Sequence, residues 1–262
     1  MLAELDFMDL HGLDLQEKNK KQKSCGKWES SVDFNNTDTN LIVDSALVVF
    51  SGGQDSTTCL YWAKKHYKHV EAVFFDYGQR HKIELESARK IAQVAEVKLH
   101  ELDIPTFGQI GANSLVDSSM NIVAEGRQGL PNTFVPGRNL IFITFAGALA
   151  WKLGIQALVT GVCETDYSGY PDCRQNTMSA LQQSLQLGME WDFKVQTPLM
   201  YLDKAETIKL AHDLGAMEAL KWSHTCYEGK FPPCGTCPSC ELRAKGFEEA
   251  KIPDPIFDRV SF

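Results

Sequence analysis

Residues 50–60 read FSGGQDSTTCL and join an apolar run, ALVVF at 46–50, to a segment that can continue as a helix, YWAKKHY at 61–67. The apolar run predicts a buried β-strand, so the polar residues occupy a strand-to-helix turn. Glycines at 52 and 53 leave backbone N–H groups open, and the following helix directs the positive end of its dipole to the same place. Four hydroxyl side chains add donors: Ser51, Ser56, Thr57 and Thr58. The turn is therefore predicted to bind phosphate.

No lysine occurs in this turn, which distinguishes it from the common phosphate loops. The Walker motif G-x-x-x-x-G-K-[ST] and the dinucleotide motif G-x-G-x-x-G are both absent from the sequence. The loop can instead hold the β and γ phosphates of ATP as a leaving pyrophosphate while the α phosphate is attacked, with Asp55 as a ligand of Mg²⁺. The other interpretation is a glycine-rich turn in which the serines only cap the helix.

Apolar strand-like segments alternate with helical patterns along the chain. Strands are predicted at 46–50, 70–78, 97–104 and 155–162, and an extended segment at 192–200. Helices are predicted at 57–67, 83–94, 139–153, 175–188 and 204–215. The helix at 139–153 is nearly all apolar and is expected to be buried. This alternation predicts an α/β fold, a doubly wound parallel sheet that is covered on both faces.

Polar sequences follow three of the predicted strands. They are SGGQDS at 51–56, DYGQRH at 76–81 and TGVCETDYSGYPDCR at 160–174. In an open parallel sheet, ligands bind beyond the carboxyl ends of the strands. We therefore expect these three segments to line one cleft.

The composition of the chain narrows the classes of partner. The protein has 262 residues and a formal net charge of −8. An acidic protein attracts a polyanion weakly, which disfavours a nucleic-acid substrate and favours small-molecule chemistry. No run of about 18 apolar residues occurs, so no membrane partner is expected. Eight cysteines without a secretory signal indicate a reducing compartment, and cytoplasmic localisation is expected.

Three parts of the chain differ in character. Residues 1–40 are polar and lack periodicity, and they are expected to be a flexible extension with a short helix around Leu5, Met8 and Leu15. Residues 41–220 carry the alternating pattern of the main domain. Residues 221–262 form a C-terminal segment with four crowded cysteines.

These cysteines follow the pattern C-x₇-C-x₂-C-x₂-C, with prolines and a glycine that favour tight turns between them. They are Cys226, Cys234, Cys237 and Cys240. Four thiolates at this spacing can close a tetrahedral structural zinc site. An iron–sulfur cluster is the competing interpretation, because cluster-binding cysteine runs have similar spacings.

The SGGQDS turn resembles the pyrophosphatase loop of the N-type ATP pyrophosphatases, the PP-loop superfamily with an adenine-nucleotide alpha hydrolase-like fold. That resemblance implies cleavage of ATP between the α and β phosphates and transfer of AMP to a substrate oxygen. Further segments resemble the family that makes 7-cyano-7-deazaguanine, the nitrile precursor of queuosine. They are FDYGQRH (75–81), PNTFVPGRN (131–139), TGVCETDYSGYPDCR (160–174), TPLMYLDKAET (197–207) and the terminal cysteines.

The resemblance implies a ligase that converts 7-carboxy-7-deazaguanine, ammonia and ATP to the nitrile through an adenylated carboxylate and an amide. It also implies Mg²⁺ with the ATP, zinc at the four cysteines and a homodimer.

Particular residues acquire expected roles from the same resemblance. The catalytic residues are Ser51, Asp55, Arg138 and Lys204. The residues that bind ATP are Phe50, Ser51, Gly52, Gly53, Gln54, Asp55, Ser56, Thr57, Thr58, Cys59 and Leu60. The residues that bind the deazaguanine are Glu164, Asp166, Tyr170, Asp172 and Arg174. One of these acids would accept the N1–H and N2–H₂ donors of the ring, on which Tyr167 or Tyr170 would stack, and His81 is a candidate proton acceptor.

Simpler interpretations stand beside these roles. Arg138 can form a surface ion pair, Lys204 can be a solvated helix lysine, and any one acid of 164–172 can cap a helix or pair with Arg174. Two other functions are compatible with the loop. One is a tRNA thiolase or lysidine-type synthetase, which the acidic composition disfavours, and the other is a nucleotide-binding or zinc-ribbon interaction protein without turnover.

Overall fold

A computed structural model describes residues 44–79, 82–106, 130, 132–165 and 169–259. Five strands form one parallel sheet: β1 Ser45–Val49, β2 His69–Asp76, β3 Lys98–Asp103, β4 Ala157–Val159 and β5 Lys194–Gln196. Their spatial order is β3-β2-β1-β4-β5, with Leu47 of β1 paired to Glu71 on one side and Leu158 on the other. Because the order reverses between β1 and β4, a crevice opens beyond the carboxyl ends of these two strands.

Seven helices connect and flank the strands in the part of the chain that the structure describes. They are α1 Gln54–His66, α2 Ile83–Val94, α3 Arg138–Leu153, α4 Gln175–Met189, α5 Lys204–Asp213, α6 Met217–Leu220 and α7 Pro238–Ala250. Short 3₁₀ helices cover Pro171–Cys173 and Pro255–Asp258.

Helices cover both faces of the sheet. Ala46 and Val48 of β1 belong to the apolar cluster that includes α1 and α2, whereas Leu47 belongs to the cluster that includes α3 and α4. This division follows from the strand period, because successive side chains point to opposite faces. The predicted α/β fold with a doubly wound parallel sheet is therefore confirmed.

The helix predicted as buried is exposed on one face. In α3, Ile143, Ala146 and Ala150 are fully buried against the sheet, but Phe145 is 46% and Trp151 is 54% exposed. The burial prediction is wrong for that face, because the sheet covers only one side of the helix and the apolar residues continue around it.

Two further differences concern helix positions. The first helix begins at Gln54, three residues before the predicted start at 57, because Gly53 already has the extended conformation of an N-cap residue. Helices α6 and α7 were not predicted, and Phe247 and Ala250 of α7 pack with Ala205 and Ile208 of α5. The expected extension at 1–40, its short helix and most of the loop-rich stretch at 105–136 lie outside the described residues. Within the described ranges, no helix is long and apolar enough to cross a bilayer.

Candidate active site

The turn between β1 and α1 lies directly against the first turns of α2. Gly52 has a φ of 75°, and a Cβ added to it would stand 2.8 Å from the Ala88 nitrogen and 2.9 Å from the Glu84 carbonyl oxygen. Both the left-handed conformation and the close approach therefore require glycine at this position. The sequence pattern SGG thus fixes how closely the loop approaches α2.

The hydroxyl groups of the loop divide into two pairs. Thr57 Oγ1 donates to the Gly53 carbonyl at 2.8 Å, and Thr58 Oγ1 donates to the Gln54 carbonyl at 3.0 Å, so both stabilise the start of α1. Ser51 and Ser56, whose Oγ atoms are 3.1 Å apart, line a cavity, and Ser56 Oγ also donates to the Gly53 carbonyl at 3.1 Å. Only the serines of the four predicted hydroxyls therefore face a possible ligand.

The other loop residues expected at the ATP site also separate. Phe50, Gly53, Gln54 and Asp55 line the cavity, whereas Cys59 and Leu60 are fully buried in the core. The motif therefore positions its first half toward a ligand and anchors its second half in the fold.

Asp55 and Lys204 meet at this loop from opposite ends of the main domain. Lys204 Nζ donates to Asp55 Oδ2 at 2.7 Å. A capping box at Asp203 fixes the start of α5 and so places Lys204, since the Asp203 carboxylate accepts from the Glu206 nitrogen at 2.8 Å. The other oxygen of Asp55, Oδ1, is buried, and it has no hydrogen-bond partner among the described residues.

One cavity of about 330 Å³ collects the segments that were expected to line a cleft. Its lining includes residues of the loop, Tyr77 and Gln79 after β2, and residues 160–163 after β4. This convergence confirms the expected cleft at the carboxyl ends of the strands. The remaining positions of DYGQRH, Arg80 and His81, lie outside the described residues.

Arg138 and Glu84 bring opposite charges to this cavity. The Arg138 Nη1 donates to the Tyr77 hydroxyl at 3.4 Å, and its guanidinium lies 5.9 Å from the centre of the Tyr77 ring. Burial raises the pKa of the Glu84 carboxyl to about 7, although the positive charge of Arg138 acts in the opposite direction. The cavity therefore contains a fixed cation and an acid that titrates near neutral pH.

The residues expected to bind the deazaguanine are placed differently from one another. Tyr170 lines the cavity, with its hydroxyl 2.6 Å from Thr133 Oγ1, and Arg174 and Glu164 do not line it. Asp172 is buried beside the cavity, and its Oδ2 accepts from the Asn139 nitrogen at 3.0 Å at the start of α3.

Glu164 has a similar capping contact. Its Oε2 accepts from the Gln175 nitrogen at 3.3 Å, at the first residue of α4. Asp166 and Tyr167 lie outside the described residues. Two of the three candidate acids therefore stabilise helix starts, which is the simpler role that the sequence analysis set beside substrate binding.

The four cysteines converge next to Tyr227 and Ser239, which line the cavity. Their Sγ atoms all lie within 4.8 Å of one another, and those of Cys234 and Cys240 are 3.9 Å apart. A tetrahedral site with Zn–S bonds of about 2.3 Å requires sulfur–sulfur distances of about 3.8 Å. Backbone N–H groups of Thr236 and Cys237 point at Cys234 and lower the pKa of its thiol to about 6, whereas burial raises the pKa of the Cys237 and Cys240 thiols. The spacing of the four sulfur atoms is what allows the cluster to bind a metal ion.

His224 connects this cluster to the loop. Its backbone nitrogen donates to the Gly52 carbonyl at 3.0 Å, and its Nε2 lies 3.1 Å from the Cys226 carbonyl. His224, Thr225 and Tyr227 also line the cavity. The segment just before and after the first cysteine thus forms a wall of the cavity.

Neither this wall nor the place of Glu84 at the cavity was predicted from the sequence. Nothing in the spacing of the cysteines indicates that the residues before them contact a loop far earlier in the chain. Glu84 carries no local signal either, because its place at the cavity follows from the packing of α2 against Gly52, which is a contact between distant parts of the chain.

Comparisons with known proteins identify several relatives of this chain. The family model described as queuosine biosynthesis protein QueC matches residues 45–251. The 7-cyano-7-deazaguanine synthase of Chromobacterium violaceum is 60% identical over 220 residues, which cover 82% of this chain and 94% of that protein. The synthase of the same name from Staphylococcus haemolyticus is 50% identical over 214 residues, which cover 81% of this chain and 96% of that protein. Among solved structures, the U34-tRNA thiolase NcsA from Methanococcus maripaludis is similar with a TM-score of 0.45 and 16% identity, covering 80% of this chain and 66% of that one.

Proposed function

This chain belongs to the QueC family of queuosine biosynthesis proteins, and from that premise we propose how its cavity carries out the reaction. It is an ATP-using ligase that makes 7-cyano-7-deazaguanine. We propose that it starts from 7-carboxy-7-deazaguanine and ammonia and activates the carboxylate as an adenylate. The observation that carries this proposal is the convergence of the SGGQDS loop, the Asp55–Lys204 pair and Arg138 on one cavity.

The loop provides the phosphate end of the proposed site. Ser51 and Ser56 face the cavity, and the first turn of α1 adds N–H groups and the positive end of the helix dipole. Lys204 adds a positive charge within 2.7 Å of Asp55. These groups stabilise the charge that develops on pyrophosphate when the bond between the α and β phosphates breaks.

Two buried polar atoms support occupation of this end by a charged ligand. Gln54 Nε2 and Asp55 Oδ1 have no hydrogen-bond partner among the described residues, and both side chains line the cavity. Leaving such atoms unsatisfied costs about 1–3 kcal/mol each, which a ligand would recover. Asp55 is an oxygen donor of the type that Mg²⁺ prefers, so Asp55 would hold the ion with the ATP phosphates, where the ion would neutralise charge.

Arg138 and Tyr170 provide the proposed substrate end. A guanidinium can hold a carboxylate with two parallel hydrogen bonds, so Arg138 is suited to the acid group of the substrate. Tyr170 can pack against the deazaguanine ring, and an acid within residues 164–172 would accept the N1–H and N2–H₂ donors. Asp172 adjoins this end through its contact with Asn139, which itself lines the cavity.

We propose zinc as the metal of the four cysteines. The sulfur distances fit a tetrahedral thiolate site, and the reaction transfers AMP without moving an electron, so an iron–sulfur cluster has no role in it. The metal would stabilise a segment whose few apolar residues give it little core of its own. Thiolate ligands persist in a reducing compartment, which supports a cytoplasmic location.

We also propose that the protein is a homodimer. Helix α3 exposes the large apolar side chains of Phe145 and Trp151, and α4, which packs beside it, exposes 74% of Leu187. Large exposed apolar side chains on neighbouring helices are a feature of protein interfaces. A second copy of the chain would cover the face of α3 that the sheet leaves exposed.

The test of the proposed function is mass spectrometry of the products after incubation with ATP, ammonium and candidate carboxylated deazapurines. We expect the nitrile from 7-carboxy-7-deazaguanine, together with AMP and pyrophosphate. Release of ADP, or nucleotide binding without any product, would contradict the adenylate course.

A further inference from the structure

Glu84 occupies a place in the cavity that none of the proposed roles uses. It lies in the first turn of α2, where its carbonyl oxygen stands 2.9 Å from the position of a Gly52 Cβ, and its side chain lines the cavity. Among the described residues, burial and the charge of Arg138 act on its carboxylate, and no hydrogen-bond donor to it is found. Glu84 and Asp55 are the two carboxylates among the described lining residues, and Asp55 is already paired with Lys204.

We propose that Glu84 is the residue that accepts the protons released by ammonia when the adenylated substrate is converted to the amide and then to the nitrile. This proposal rests on the adenylate course described above. It assigns a catalytic role to a residue that neither the loop motif nor the cysteine cluster includes.

The proton balance of the reaction requires such an acceptor in both rounds. In the first, ammonium gives up a proton to become the nucleophile, a C–N bond forms, the C–O bond to AMP breaks, and nitrogen loses a second proton. In the second, the amide oxygen receives AMP, the remaining N–H protons leave, and AMP departs with the electron pair of its C–O bond. The nitrogen atom therefore enters as ammonium, with a proton on each of its bonds, and ends in the nitrile without any proton.

The surroundings of Glu84 suit this task. An acceptor works best when its pKa lies near the working pH, and burial raises the pKa of Glu84 to about 7. The charged and titratable groups that face it are Arg138 on α3, which acts to lower that pKa, and Tyr77 after β2. Burial raises the pKa of the Tyr77 hydroxyl, so Tyr77 stays protonated and does not compete as a base.

The position of Glu84 between the loop and Arg138 also suits ammonium delivery. A carboxylate with no hydrogen-bond donor among the described residues attracts the cation into a cavity whose other described acid is paired. Arg138, proposed to hold the substrate carboxylate, lies close enough to influence the titration of Glu84. The nucleophile and the activated carbon would thus be held side by side.

The test compares Glu84→Gln with the unchanged protein in separate half reactions. The first is isotope exchange between pyrophosphate and ATP in the presence of 7-carboxy-7-deazaguanine without ammonia, which reports adenylation alone. We expect exchange to stay within about twofold while ammonium-dependent amide formation falls by about 10²-fold or more. Hydroxylamine, which is largely neutral near pH 7, should still capture the adenylate in the variant.

Other outcomes separate the proposals. Amide formation at an unchanged rate in Glu84→Gln would overturn the role of Glu84. Loss of both exchange and amide formation would also overturn it, because the substitution would then act through the ATP loop and not through proton transfer. If the unchanged protein shows no exchange, the adenylate course itself is wrong. Glu84→Asp should recover part of the amidation, and Glu86→Gln, at an exposed position of the same helix, should behave as the unchanged protein.

The pH profile gives an independent readout. Ammonium-dependent kcat/KM of the unchanged protein should rise with pH through about 7, because only ionised Glu84 accepts a proton. In Glu84→Gln the residual activity should instead follow the fraction of free ammonia, which rises across this range without a step near pH 7. An identical acid limb in both proteins would assign the titration to another group and overturn the proposal.

Discussion

Lys204 Nζ donates to Asp55 Oδ2 at 2.7 Å, a contact between residues 149 positions apart in the chain. It joins the N-terminus of α5 to the first turn of α1, so each charge neutralises the other where ATP phosphates are proposed to bind. When ATP and a metal ion bind, Lys204 would contact the phosphates and Asp55 would contact the ion, so both would exchange partners. The pair would thus keep the empty site from holding two unpaired charges.

Replacing Lys204 by Met tests this exchange. The variant lacks the charge proposed to face the leaving pyrophosphate, so AMP formation should fall by about 10²–10³-fold, as for loss of one electrostatic group in an active site. Pyrophosphate release is the measurement. Lys209→Met, on an exposed position of the same helix, is the matched control and should retain full activity. Equal rates of pyrophosphate release from the two variants would show that Lys204 does not act in the site.

Gly52→Ala tests the close approach of the loop to α2. The new Cβ would combine an unfavourable positive φ with contacts of 2.8 and 2.9 Å to backbone atoms. Gly215→Ala is the control, because Gly215 has a φ of 73° but open space around its Cα. The control should lose about 1–2 kcal/mol of stability with activity retained, whereas Gly52→Ala should also lose ATP binding. Thermal unfolding and ATP titration report the two effects.

Glu84→Gln should change stability with a sign that depends on pH. In the folded state the pKa of Glu84 is raised from 4.5 to about 7, so between these values the folded protein holds more protons than the unfolded chain. Stability then falls as pH rises through this window, and the variant, which stays neutral, avoids that loss.

The variant should therefore be more stable than the unchanged protein at pH 8, by on the order of 1–3 kcal/mol, and similar to it below pH 4.5. Denaturant unfolding at the two pH values measures the difference. A variant that is less stable at pH 8 would show that the ionised carboxylate is stabilised in the fold.

Removal of the metal should affect the ATP site as well as the C-terminal segment. His224 bonds the Gly52 carbonyl through its backbone and contacts the Cys226 carbonyl through its ring, so disorder at Cys226 reaches the loop. Cys226→Ser should lower both the melting temperature and the affinity for ATP. Cys25→Ser, about 200 positions earlier in the sequence than the four cysteines, is the control. Metal analysis should find one zinc per chain, and iron in its place would contradict the proposed metal.

The sequence predicted the elements whose signals are local. The spacing of apolar residues in Ile83–Val94 predicted both ends of α2, and the SGG motif predicted the turn between β1 and α1. Helix α7 has few apolar residues and was missed, since its buried residues include Arg243, which is 4% exposed and donates to Asp254 at 2.7 and 2.8 Å. Glu84 was missed for a related reason: its environment is made by α3 and the loop, and no local pattern distinguishes it from an exposed glutamate.

The reaction should consume two ATP for each nitrile, each giving AMP and pyrophosphate. An ionised carboxylate is a poor electrophile because attack would have to expel oxide, and transfer of AMP creates a mixed anhydride with a good leaving group. Ammonia then gives the amide, whose oxygen is no easier to expel, so forming the C≡N bond requires a second AMP.

One loop can serve both rounds under two conditions. Arg138 and Tyr170 must keep the deazaguanine in place, and the pyrophosphate bound near Ser51 and Ser56 must be replaced by a second ATP. The primary amide supplied directly should therefore be converted with one ATP, and Glu84→Gln should slow this step too, because N–H protons still leave. Counting AMP against nitrile by chromatography, with acid and amide as alternative substrates, measures both ratios. Equal ATP consumption from the two substrates, or accumulation of amide with ATP in excess, would contradict adenylation at the same loop in both rounds.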